Sequence, residues 1–138
     1  MVAALIMVVT FVFGIVPATF LLAFALLSGV VGLVAVASSV WVGAPGMLLR
    51  GLVFIPATVM AVYGYKGLFF AAGQLVTPRV ARWLFAGIIA TVAYIGFLAA
   101  EPAYQVLDAW YFYFSPTIVG AAHLVGFLVR SRQRRASV

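Results

Sequence analysis

Charge is what this chain has least of. Of its 138 residues, 7% are Asp, Glu, Lys or Arg, against ~25% in soluble domains. The first 49 residues hold no charged side chain, no histidine and no tyrosine; Arg50 is the first side chain able to carry charge at neutral pH. A soluble helix needs a wet face, so an uncharged run of this length excludes an ordinary soluble domain. Cysteine is absent. That excludes disulfides, thiolate metal sites and cysteine nucleophiles, and leaves the redox compartment unread.

Acid–base groups are scarce too. Glu101 and Asp108 are the only carboxylates and His123 the only imidazole. The two carboxylates flank Pro102 at a spacing that does not put them on one helix face, so nothing predicts the convergence that general acid–base or metal chemistry needs. Neither HExxH, nor zinc spacing, nor a glycine-rich phosphate loop occurs, and no nucleophile motif surrounds Ser28 or Ser115. An enzyme is therefore not expected. Residues 1–16 have no basic region of the signal-peptide kind, so the N-terminus reads as a retained membrane segment, and no lipidation motif is present.

What is there is apolar. Hydrophobic residues make up 67% of the chain, and at ~20 residues per crossing they predict an all-α, polytopic transmembrane helical bundle. A single domain is expected over residues 1–130, with a basic cytoplasmic tail over 131–138. As one helix, residues 2–42 would be ~60 Å long, about twice the hydrocarbon thickness. A break is therefore expected at Ser28–Gly29, giving spans near 2–27 and 30–45, with Pro17 either kinking the first or marking the break instead. Further spans near 48–71, 81–100 and 111–130 bring the count to five. Four is the alternative, with part of the first 42 residues flat or re-entrant. Gly43-Ala44-Pro45-Gly46 and Gln74–Pro78 are the turn and loop signals, and Glu101–Pro102 ends the fourth span.

Ser28, Gly32, Ala35, Ser39 and Gly43 form a small-residue stripe, and Ala86, Ala90 and Ala93 a second, with Gly87, Thr91 and Tyr94 on a neighbouring face. Such stripes let helices approach closely in lipid, within the chain or between copies. Val16-Pro-Ala-Thr and Ile55-Pro-Ala-Thr form a short internal echo of the kind a repeated transporter architecture would leave. Five aromatics, Trp110 to Phe114, read as an interfacial belt.

The net charge of +6 would suggest nucleic acid in a soluble protein. Here the basic residues stand at the ends of apolar runs, where they set orientation, and no nucleic-acid partner is expected. Lys66, Arg79, Arg82, Arg130, Arg132, Arg134 and Arg135 fall on one side and Arg50 on the other. The C-terminus is thus expected inside, in a prokaryotic plasma membrane.

Lys66, near the inner end of its span, reads as a snorkelling cation or as the lining of a polar cavity with Tyr63, Thr91 and Tyr94. His123 reads as a helix–helix hydrogen-bonding residue or as an axial ligand to haem iron or a chlorophyll-type magnesium. A second haem ligand would have to be a methionine such as Met60 or come from another subunit. Arg130, Arg132, Arg134 and Arg135 set topology and attract anionic lipid, or dock an acidic partner. The opening 49 residues offer only hydroxyls such as Thr10, Thr19, Ser38 and Ser39, so polar work is expected after Arg50. Three functions follow: a small non-catalytic subunit or scaffold of a membrane assembly, with other subunits or further copies as partners; a small oligomeric transporter or channel; and a pigment- or haem-carrying subunit using His123.

Overall fold

The computed structural model describes residues 2–42, 45–73, 76–99 and 110–136, and all but the short link at 76–77 are helical. The first helix, α1, runs over 2–42: α-helical from Val2–Thr10, π-helical over Phe11–Ile15, and α-helical again over Val16–Val42. Then come α2 (Pro45–Gly73), α3 (Pro78–Ala99) and α4 (Trp110–Ala136). Three segments are long and apolar enough to cross a membrane: Val2–Ser38, Gly51–Gly73 and Pro78–Gly96.

The turn expected at Ser28–Gly29 does not form; α1 continues through it. In lipid an interrupted helix leaves backbone N–H and C=O groups without partners, at several kcal/mol each, and glycine within a helix costs only ~1 kcal/mol. Gly29 serves packing instead, since a Cβ there would lie 2.7 Å from the Thr58 hydroxyl. Where α1 departs from regularity is Pro17. The Val16 N–H bonds to Phe11 O, five residues back. The next bond in that register would join Val12 O to Pro17, which has no N–H. Tyr111 of α4 donates its hydroxyl to Val12 O at 2.5 Å and so takes the missing donor's place.

Proline also opens helices in this chain. Pro45 and Pro78 are the first residues of α2 and α3, where a missing N–H costs nothing. Gly43, Ala44, Gln74 and Leu75 lie outside the described residues, as do 100–109, which include Glu101, Pro102 and Asp108. The last helix passes the expected boundary near 130 and carries the basic tail as a helical extension to Ala136.

The helices pack antiparallel in chain order. On α1 the contact line is Ala25, Gly29, Gly32 and Val36, so the predicted small-residue stripe is met at Gly32 but displaced by one position around it. Gly51 meets it from α2: a Cβ there would fall 2.7 Å from Gly32 O. Between α2 and α3 the approach is closer still, with a Cβ on Gly64 falling 2.3 Å from Gly87 Cα. Of the residues predicted for α3, Ala90 and Tyr94 are buried, and Gly87 is the crossing point. One apolar core joins Ile15, Ala18, Leu68, Ala71, Val80 and Leu84; a second joins Ala25, Ala57 and Tyr94.

The two Pro-Ala-Thr echoes share local geometry. Ala18 and Ala57 are both buried, and Thr19 and Thr58 each donate to the carbonyl four residues back, at 2.9 and 2.7 Å. Among the described residues only the first is preceded by a π turn, so the likeness stops at that turn of helix. Of the aromatic run, Tyr111 bonds to α1 and packs edge-on against Phe13 at 6.0 Å.

Candidate functional site

Among the described residues polar side chains gather between the helices in three places, beside a single Thr19–Tyr65 hydroxyl contact at 3.4 Å. The first joins the two ends of the chain. Thr10 is 2% exposed, and its Oγ1 lies 2.9 Å from His123 Nε2 and 2.8 Å from Ile6 O. The hydroxyl has one proton. Given to Ile6 O, it leaves Nε2 to donate to Thr10, and Nδ1 is then the ring's free acceptor in the neutral histidine. Half of this contact comes from the opening segment, through one of the few hydroxyls that segment offers. Of the glycines near His123 in sequence, Gly120 faces α2 and α3, and Gly126 lies under Arg130, whose Nε donates to its carbonyl at 3.3 Å.

The second group ties α1, α2 and α3. Thr58 Oγ1 lies 2.8 Å from Ala25 O and 2.9 Å from Tyr94 Oη, and Tyr94 Oη lies 3.3 Å from Ala25 O. With Phe54 O also 2.7 Å from Thr58 Oγ1, two hydroxyl protons are shared among the two hydroxyl oxygens and two carbonyls. Phe24 and Phe54 enclose the Tyr94 ring at 5.9 and 5.8 Å. Gly29 makes this possible, since a side chain there would displace Thr58.

The third is a cavity of about 50 Å³ where all four helices meet, lined among others by Ala18, Gly64, Tyr65, Thr91, Pro116, Thr117 and Gly120. Thr91 Oγ1 donates to Gly87 O at 3.0 Å. Thr117 Oγ1 is buried and finds no protein partner. A cavity of that size exceeds the ~10–15 Å³ a water needs.

The predicted polar set is not brought together. Thr91 lines the cavity and Tyr94 is sealed in the second group. Lys66 is exposed and Tyr63 is 44% exposed, on the outer side of α2. There they meet Trp83 of α3, which sequence reasoning passed over: the Lys66 Nζ lies 6.0 Å and the Arg79 guanidinium carbon 5.2 Å from the ring centroid. Arg132, Arg134 and Arg135 are exposed on the helical extension of α4. Among the described residues no group of three His, Cys, Asp or Glu gathers as a metal site would require.

Thr58 and Thr117 were missed as well. The Pro-Ala-Thr echo pointed to Thr58, but nothing in the sequence separates Thr117 from any other helical threonine. No protein-family model, curated protein or solved structure matches the chain.

Proposed function

We propose that this protein is a small, non-catalytic integral-membrane subunit or scaffold, with four crossings and both ends on the cytoplasmic side of a prokaryotic plasma membrane. The observation that carries the reading is how the interior polar side chains are used. Thr10, His123, Thr58 and Tyr94 are all engaged with one another or with backbone carbonyls. Groups consumed in tying helices together are not placed to move a solute.

Four crossings replace five because α1 is unbroken at 28–29, which returns the N-terminus to the side of the C-terminus. Seven of the eight basic residues belong to that side by position along the helices, in keeping with the positive-inside rule. The outward face of α1 supports an assembly role. Leu5, Val8, Leu27, Val30 and Val34 are 54–68% exposed, and Val2–Ser38 is the least covered of the three apolar segments. At ~55 Å it also exceeds the bilayer core, so lipid alone does not match its length without tilt or local thickening.

The unpartnered Thr117 hydroxyl in the four-helix cavity favours a second reading, a small transporter or channel. The cofactor reading is weaker, because Thr10 occupies the Nε2 of His123. Extraction in a mild detergent, chemical cross-linking and native electrophoresis test the proposal: co-migration with larger partners or as a defined oligomer is expected, and a monodisperse monomer would contradict it.

A further inference from the structure

Trp83 collects two cations and two aromatic rings from neighbouring helix ends. Lys66 Nζ and Arg79 Cζ stand 6.0 and 5.2 Å from its centroid, Tyr63 stacks on it at 6.4 Å and 27°, and Phe70 lies tilted at 5.7 Å. Tyr63, Lys66 and Phe70 recur at helical spacing on α2, and Arg79 and Trp83 are one turn apart on α3, so each helix presents one edge to the cluster.

Cation–π attraction explains why either charge sits by the ring. Two like charges thus draw on one ring, and no carboxylate occurs among the described residues. Arg79 is also the second residue of α3, at the helix end where the backbone dipole favours a negative charge and opposes a positive one. Both cationic residues are exposed. Two cations on one ring, flanked by Tyr63 and Phe70, suit an anion that carries an apolar tail.

We propose that this cluster binds the phosphate of an anionic phospholipid in the inner leaflet. Lys66 supplies a point charge and Arg79 a planar fork to the phosphate oxygens, while Tyr63 and Phe70 lie against the glycerol and first methylenes. Tryptophan and tyrosine suit that depth because one end of each ring system is apolar and the other hydrogen-bonds. A free phosphate ester would satisfy the same cations but leave the aromatic walls uncovered, which is why a lipid is the occupant assigned. The proposal rests on α2 and α3 crossing a bilayer.

The test uses the full chain with Trp41→Phe and Trp110→Phe, which leaves Trp83 as the only indole. It is reconstituted in phosphatidylcholine vesicles containing a minor fraction of bromine-labelled phosphatidylglycerol or, separately, the same fraction of bromine-labelled phosphatidylcholine. Several-fold stronger quenching by the anionic lipid is expected. Lys66→Gln with Arg79→Gln should erase the difference, Arg50→Gln, toward the opposite end of α2, should keep it, and soluble glycerol phosphate should not relieve it. Equal quenching by both lipids would overturn the headgroup site while leaving the membrane reading intact. Relief by glycerol phosphate would reassign the site to a soluble phosphate ester and overturn the lipid assignment. No quenching by either lipid would put Trp83 outside the bilayer and overturn both.

Discussion

Thr10 and His123 stand 113 positions apart and meet at 2.9 Å, hydroxyl to Nε2, joining the first helix to the last. The contact closes the bundle where α1 has just passed into its π turn, and Tyr111 closes it again at Val12 O. A histidine that holds two helices together needs no cofactor to account for it. Thr10→Val and His123→Ala should each lower the thermal midpoint. A double-mutant cycle should give a coupling near ~0.6 kcal/mol, the average for interhelical hydrogen bonds in a membrane. Strictly additive effects would mean that the pair is not a working contact.

The glycines separate into those that meet backbone and those that do not. A Cβ on Gly64 would fall 2.3 Å from Gly87 Cα, whereas a Cβ on Gly120 finds its nearest atom at 3.9 Å. Gly64→Ala should therefore force α2 and α3 apart and cost at least the ~1–3 kcal/mol of overpacking. Gly120→Ala should be neutral or stabilising by up to ~1 kcal/mol, since alanine is the better helix former. Unfolding in detergent read by circular dichroism would rank them, and equal losses would contradict the packing described.

Thr58 and Tyr94 form the only polar link found among three helices in the described residues. Tyr94→Phe should cost about 1 kcal/mol by removing one hydrogen bond of a satisfied set, and Thr58→Val more, because it leaves the buried Tyr94 hydroxyl a single partner at 3.3 Å. Denaturant titration checks the order, and the reverse order would contradict it.

Thr117 presents the opposite case. Its buried hydroxyl has no protein partner, and an unsatisfied group of this kind carries a penalty of ~1–3 kcal/mol. Thr117→Val keeps the shape and removes the polar atom, so the thermal midpoint should rise. A fall would show that the hydroxyl has work in the cavity, and would move weight to the transporter reading.

How much of this was legible in the sequence depended on the physics behind each feature. The helices, three segments of them long and apolar enough to cross a membrane, followed from composition, because an uncharged stretch such as Met1–Leu49 has few folds open to it. The break at Ser28–Gly29 was misplaced because serine and glycine look like a turn by their chemistry in water. In an apolar surrounding an interrupted backbone would be costly, and Gly29 serves the Thr58 contact instead. Thr10 was discounted since nothing local marks a hydroxyl that pairs with a residue 113 positions away. Lys66 and Tyr63 were read as one face, correctly for spacing, but the direction of that face depends on where Trp83 sits, and that is set by the Gly64–Gly87 crossing.

Because the chain has no native cysteine, single cysteines report its path through the bilayer without background. The proposed topology has one unbroken first helix and four crossings. Ala3→Cys, Ser28→Cys and Ala136→Cys, each probed in intact cells and in inverted vesicles with a membrane-impermeant maleimide, separate that topology from five crossings. The thiols at positions 3 and 136 should react only from the cytoplasmic face, and the thiol at position 28 should stay unlabelled from either side. Rapid labelling at position 28 together with outward labelling at position 3 would place a turn at Ser28–Gly29, restore five crossings and contradict the unbroken helix.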